Sequence, residues 1–254
     1  MNTNTFKTQD GKAHSKNSVS IFDAVLAEII CTWFLPCSKG NVFDCFAGDT
    51  VIGAVSSFLG NNFTGVELRQ EQVDFNNSHT NNLAIYHCDD GRNILNYVNE
   101  RSQDLLFSCP PYFDLEVYSD LPNDASNQET YEDFIKILDE AFSNAIQALR
   151  DNRFAVIVVG DVRDKKGAYY AFPNDIIDIF RKNGMILYNN IKLLTPLATA
   201  MLRADRCFRN RKTVHVYQDV LVFYKGDTRR IGEQFGECEV KNIAGENLEL
   251  SSVD

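Results

Sequence analysis

The chain is expected to form an α/β domain built on one doubly wound, mostly parallel sheet whose last strand runs antiparallel. Three observations carry this expectation. Short apolar runs alternate with helical patterns from about residue 20 to residue 182, the signature of stacked βα units. Residues 42–67 hold a β-α-β unit with a small-residue turn, Ala47-Gly48-Asp49-Thr50, after its first strand and an acid, Glu67, ending its second. Residues 185–194 and 219–225 then read as two successive strands that pair antiparallel, joined by a basic loop.

Taken in order, residues 1–17 are polar and aperiodic and read as a flexible arm. Ile21, Phe22, Val25, Leu26, Ile29, Ile30 and Trp33 recur at helical spacing, so 20–35 is a helix, with Ser20 and Asp23 approximating a capping box. Pro36 stops it. Residues 42–46 are a strand, 51–60 a helix ending at Gly60, 63–67 a strand, 69–76 a helix and 83–88 a third strand. Asp89-Asp90-Gly91-Arg92 follows, either a site for a ligand's amino group or a solvated turn capping a helix over 93–98. Residues 102–108 enter a buried strand, and 113–129 read as a loop over its end. Residues 131–150 place Phe134, Leu138, Ala141, Phe142, Ala145 and Leu149 on one helical face. Residues 154–160 are wholly apolar, hence the most buried strand, and 173–182 form a helix ended by Asn183-Gly184.

Composition narrows the class. A chain of 254 residues with 44% hydrophobic content and 18 Phe supports one sizeable domain, placed at 18–226, between the 1–17 arm and an acidic, mobile tail at 227–254. No apolar run is long enough to span a bilayer, and the polar N-terminus has no signal-peptide pattern, so a cytoplasmic protein without a membrane partner is expected. Seven cysteines without a C-x-x-C pair, most of them in apolar runs, read as reduced, buried thiols rather than a disulfide frame or a metal site. A net charge of −10 argues against coating nucleic acid by bulk charge. Within 195–218, however, Arg203, Arg206, Arg209, Arg211 and Lys212 stand against one acid, Asp205. They are either phosphate contacts or an ordinary solvated loop.

The chemistry centres on Phe107-Ser108-Cys109-Pro110-Pro111-Tyr112. Two consecutive prolines remove two backbone donors and fix two φ angles, which leaves a rigid polar turn at a strand's carboxyl end. Such a turn can hold both hydrogens of a weakly nucleophilic aromatic amine, one on the first side chain and one on the Pro110 carbonyl, while Tyr112 stacks on the base. It can equally be a strand terminator with Tyr112 capping the core.

Together these stretches resemble the S-adenosylmethionine-dependent DNA amino-methyltransferases that make N6-methyladenine or N4-methylcytosine. The resemblance spans about residues 18–226. It implies a seven-stranded sheet of the class I methyltransferase (Rossmann-like) type. Ser20 and Phe22 resemble the segment that packs on the cofactor's methionine part. Asp44, Phe46, Ala47, Gly48 and Thr50 resemble the cofactor loop written D-P-F-A-G-S-G-T. Glu67, with Leu68 beside it, matches the ribose acid, and Asp90, with Asp89 as the near alternative, matches the acid by the cofactor's adenine. Cys109, Pro110, Pro111 and Tyr112 match the catalytic [D/N/S]-P-P-Y, with Ser108 before them as an assisting group, and His215 through Lys225 resembles a late block read as H-E-x-[IL]-L-x-F. The resemblance implies S-adenosylmethionine as cofactor, DNA as substrate, no metal, and a setting of restriction-modification or phage DNA modification. It leaves the oligomeric state open. Two departures stand out: Asp49 and Thr50 replace the second glycine region, and Cys109 replaces the amine-binding Asp, Asn or Ser. An RNA or protein-glutamine methyltransferase, or a non-catalytic binding protein on the same fold, are the alternatives. The order of blocks leaves no room for a large inserted recognition domain, so loops 113–129, 163–173 and 195–218 are expected to read a short target.

Overall fold

The computed structural model describes residues 5–7, 13–15, 22–36, 39–80, 82–113, 118–194 and 197–236. In chain order its elements are α1 (Ala24–Phe34), β1 (Asn41–Asp44), α2 (Val51–Phe58), β2 (Asn62–Glu67), α3 (Gln70–His79), β3 (Ala84–Cys88), β4 (Gln103–Ser108), α4 (Tyr131–Ala148), β5 (Leu149–Val159), α5 (Phe172–Lys182), β6 (Ile186–Leu194), α6 (Leu197–Arg209), β7 (Tyr217–Lys225) and α7 (Ile231–Phe235). The seven strands form one sheet in the order β3-β2-β1-β4-β5-β7-β6. Strands β1 to β5 are parallel, and β7 runs antiparallel to both its neighbours. The strand order reverses between β1 and β4, so a crevice opens at their carboxyl ends, where open α/β sheets bind ligands.

Alternation along the central strands explains the two-sided core. On β4, Leu105 and Phe107 point to one face and Leu106 to the other; on β5, Phe154, Val156 and Val158 oppose Ala155, Ile157 and Val159. One face packs under α4 and α5 through Phe134, Leu138, Phe142 and Phe180. The other packs under α1 through Leu26, Ile30 and Phe34. Each fully buried aromatic or branched side chain contributes about 1.5–3 kcal/mol, so both layers are needed to overcome chain entropy.

Several expectations are corrected. Helix α1 starts at Ala24, capped by Asp23, whose Oδ1 accepts from the Val25 and Leu26 N–H groups; Ser20 lies outside the described residues. The segment after Asp90 is a 3-10 turn, Gly91–Asn96, rather than a helix over 93–98. Strand β5 begins at Leu149, five residues before the apolar run: Leu149 pairs with Gln103 and Arg153 with Lys225, and the register shifts across the residues between them. The basic 195–218 segment is not a loop throughout: it carries α6. Within the expected arm, Thr5–Lys7 pairs antiparallel with Ala13–Ser15, and the rest of 1–17 lies outside the described residues. The tail begins later than composition indicates. Phe235 on α7 packs against Phe154 at 4.9 Å between centroids, and Gln234 Oε1 accepts from Arg153 at 3.1 Å; residues 237–254 are not described. Cys31, Cys45, Cys88, Cys109 and Cys207 are thiols rather than disulfides, with Cys88 exposed rather than buried; Cys37 and Cys238 lie outside the described residues. Among the described residues no helix is long and apolar enough to cross a membrane.

Candidate active site

One cavity of about 750 Å³ opens at the carboxyl ends of β1, β2, β4 and β5. Its first wall is the β1 turn. Asp44 ends β1, and its Oδ1 accepts from the Phe46 N–H at 2.8 Å, which folds the chain back at once. Gly48 sits at φ +50°, a conformation that suits glycine, and its N–H points at Glu67 Oε2, 3.2 Å away. Asp49, followed by Thr50 where the loop's second glycine is expected, is tied on both sides. Its Oδ1 accepts from the Val51 N–H at the start of α2, and its Oδ2 from the Phe22 N–H, both at 2.9 Å. An acid therefore fastens the entry to α1 onto the turn. Its charge also suits the N-terminus of α2.

Glu67 closes β2 with its carboxylate almost buried. Its Oε1 accepts from the Arg69 N–H and Nε, and burial raises its pKa despite that cation. Asp90 follows β3. Burial pulls its carboxyl up, but the hydrogen bonds from Arg92 outweigh that and hold it below the ordinary range; Asn123 also donates to Oδ2 at 2.9 Å. Gly91 lets this turn press against β1's loop, since a Cβ there would lie 2.2 Å from the Cys45 carbonyl oxygen. Asp44 is fully buried with Oδ2 unpartnered, and burial pushes its pKa up to about 7 against the pull of the Phe46 N–H.

The opposite wall is the Cys-Pro-Pro-Tyr turn. Ser108 is completely buried behind it with its hydroxyl unpartnered, whereas Cys109, Pro110, Pro111 and Tyr112 line the cavity. Gln218 Nε2 donates to the Tyr112 hydroxyl at 2.8 Å, and the Phe172 ring meets Tyr112 edge-on at 6.0 Å. Burial raises the Tyr112 pKa, so the ring is a neutral phenol held in place.

The structure thus brings Phe22, Asp44, Phe46, Ala47, Gly48, Glu67, Leu68 and Asp90 to the same cavity as the catalytic turn. Three sequence-predicted residues do not line it. Thr50 turns its carbonyl to the Tyr86 hydroxyl, Asp89 is engaged by Asn93 and Tyr97, and Ser108 lies beneath the floor. Sequence reasoning missed Arg69, Tyr118, Asn123, Asp161 and Leu193, and had Asp49 only as a departure in the cofactor loop and Tyr217 only within the late block; all line the cavity. Asn123 falls in the loop expected to cover the site, of which residues 114–117 are not described; Asp161 directly follows the most apolar strand.

The five basic residues lie on or just after α6, and none of them lines the cavity. Arg209 pairs with Asp205 at 2.7 Å, both exposed, a contact contributing well under about 1 kcal/mol. Helix α6 nevertheless springs from the cavity rim: Leu193 and Leu194 precede it and His215, Tyr217 and Gln218 follow it, all in the lining. No cluster of three or more His, Cys, Asp or Glu able to hold a metal ion occurs among the described residues.

No family model and no curated protein matches the sequence. Solved structures do match. A Clostridium thermocellum protein described as a candidate rRNA-methylase superposes with a TM-score of 0.52 at 11% identity, over 82% of this chain and 100% of that one. A SAM-dependent methyltransferase of Methanosarcina mazei gives 0.51 at 9% identity, over 82% and 99%. A Thermus thermophilus protein described as a candidate DNA modification methylase gives 0.41 at 23% identity, over 54% of this chain and only 51% of that one. At such low identities the likeness speaks for architecture: the chain has the seven-stranded α/β fold of the class I methyltransferases.

Proposed function

We propose that the protein transfers a methyl group from S-adenosylmethionine to an exocyclic amine, adenine N6 or cytosine N4, of a base taken out of DNA. The observation that carries this reading is the single cavity in which Asp44, Glu67 and Asp90 on one side meet Cys109, Pro110 and Tyr112 on the other. Its volume of about 750 Å³ is in the range of cavities that take a cofactor-sized ligand.

The residues fit the cofactor. Among the described residues Glu67 Oε2 has only the Gly48 N–H as a partner, and it can accept from ribose hydroxyls. Asp90 and Asn123 present an acceptor and an amide to a purine edge. The unpartnered Asp44 Oδ2 is an acceptor for an ammonium group, and Phe22, Leu26 and Ile52 offer an apolar wall. S-adenosylmethionine, when bound, supplies an electrophilic methyl group on a sulfonium. The chain supplies position. Pro110 offers a carbonyl to the target amine, and Tyr112 offers a ring face, locked by Gln218, on which the base stacks for about 1–3 kcal/mol. Holding donor and acceptor in line is worth several orders of magnitude in rate. Helix α6, whose flanking stretches line the cavity, carries Arg203, Arg206 and Arg209, cations suited to the backbone of a strand whose base enters the site.

The test is nucleoside mass spectrometry on DNA from cells producing the protein or Tyr112→Ala. The expected result is a rise in N6-methyladenine or N4-methylcytosine that the variant abolishes. Cys109 favours a second reading, a binding protein without transfer activity, because sulfur is a weak acceptor. Unmodified DNA and RNA from cells holding folded, cofactor-binding protein would select it. A methylated base confined to RNA would instead move the acceptor to RNA.

A further inference from the structure

We propose that Asp161 is a catalytic acceptor: its carboxylate takes the amine hydrogen that Cys109 holds too weakly, and receives the proton released when the methyl group transfers. This rests on the function proposed above.

An exocyclic amine needs two acceptors before its lone pair is available for attack. The turn offers one strong acceptor, the Pro110 carbonyl, and one weak one, the Cys109 sulfur. Ser108 cannot replace it from beneath the floor, since it is fully buried. Among the cavity's described carboxylates, most are committed elsewhere. Asp23 and Asp124 cap the turns that follow them. Asp49 spends both oxygens on backbone N–H groups. Glu67 holds Arg69, Asp90 holds Arg92 and Asn123, and Asp44, at the end of β1 on the cofactor side, is the acceptor assigned above to the ammonium group.

Asp161 differs in place and in partners. Strands β4 and β5 are parallel neighbours in register at Ser108 and Ile157, so the end of β5 runs beside the Cys-Pro-Pro-Tyr turn. Gly160 lies against the Tyr112 ring, where an added Cβ would come 3.4 Å from a ring carbon. Asp161 is the next residue and lines the cavity. Its Oδ1 accepts from the Val162 N–H at 2.9 Å, which fixes the carboxylate, and Oδ2 has no partner among the described residues. The neighbouring phenol does not compete for it, because Tyr131 donates to Asp175 at 2.6 Å.

In the transfer step the amine nitrogen's lone pair forms the new N–C bond, the pair of the broken C–S bond stays on sulfur, and the N–H proton passes to Asp161 Oδ2 and on to water. No further reagent is needed.

The experiment compares wild type, Asp161→Asn and Asp161→Ala. S-adenosylhomocysteine binding is read by calorimetry, and single-turnover methyl transfer is read on DNA from a methylation-deficient host. Cofactor-product affinity is expected to stay within about twofold of wild type. Transfer is expected to fall about 100-fold in Asp161→Ala, within the range of a lost general base, and about tenfold in Asp161→Asn, which keeps an acceptor but takes no proton. Adding Cys109→Asn to Asp161→Ala is expected to restore at least tenfold. Transfer by either Asp161 variant at the wild-type rate overturns the proposal and leaves the function reading standing. Wild type that binds S-adenosylhomocysteine but methylates no DNA overturns the function reading itself, and the proposal with it. Should Asp161→Ala not fold, the isosteric Asp161→Asn alone decides.

Discussion

At the scale of single residues, Asp44 shows how the site is kept ready at a cost to stability. Its carboxyl is buried with one oxygen unpartnered, and its pKa rises from the ordinary 3.8 to about 7. The native state therefore keeps a proton that the unfolded chain gives up. The sign follows from linkage: the contribution is fully present below about pH 4, falls as pH rises towards 7, and is gone above it. The span is on the order of 4 kcal/mol, a large part of the 5–15 kcal/mol that holds a typical domain together. Asp44→Asn keeps the acceptor for the Phe46 N–H and removes the ionisation. Urea unfolding is expected to show wild type losing stability from pH 5 to pH 8 and the variant losing much less. Equal losses in both would assign the pH dependence to another group. A cation seated against Oδ2 would relieve the same penalty, which is why an orphaned acid there reads as a ligand site rather than a packing fault.

At the scale of elements, the legibility of the sequence divides by what fixes each one. Periodicity placed the buried strands and α4 because their apolar faces are decided by the sheet and by little else. It missed α6. There Met201, Leu202 and Phe208 are exposed, so among the described side chains no buried face announces the helix, and clustered arginines read as loop. Asp49 was legible as a departure from a glycine turn, but not as the ligand of the Phe22 N–H, a contact between residues 27 apart in sequence. The predicted acid pair at 89–90 resolved only in three dimensions: Tyr97 and Asn93 turn Asp89 away, while Arg92 and Asn123 keep Asp90 at the cavity. Helix α6 also carries a prediction. Replacing Arg203, Arg206 and Arg209 by alanine removes three of its cations, and the slope of log affinity for DNA against log salt is expected to flatten by roughly 2–3. S-adenosylhomocysteine affinity is expected to stay unchanged, since none of the three lines the cavity. An unaltered salt slope would place the phosphate contacts elsewhere.

At the scale of the whole molecule, one topological fact organises the rest. The strand order reverses between β1 and β4, so two turns from distant stretches, 44–50 and 108–112, share one crevice. The remainder of the chain carries a net charge that would repel a polyanion, and the arginines of α6 lie between two stretches that line that crevice. If DNA is the substrate, attraction would be local to that segment, and the acidic body would discourage docking elsewhere. The same arrangement ties cofactor binding to global stability. Glu67 and Asp44 end, and Asp90 follows, three adjacent strands, so a ligand that bridges them opposes opening of that half of the sheet. By mass action a ligand at a hundred times its dissociation constant adds about 2.7 kcal/mol. For a domain of this size that is a rise in melting temperature of roughly 5–10 °C. Thermal unfolding with S-adenosylhomocysteine is expected to show this rise in wild type and to lose most of it in Glu67→Gln, which keeps the side chain's shape but weakens its acceptor. S-adenosylhomocysteine that shifts neither protein would remove the cofactor from the site. An equal shift in both would keep the cofactor and remove Glu67 from its binding.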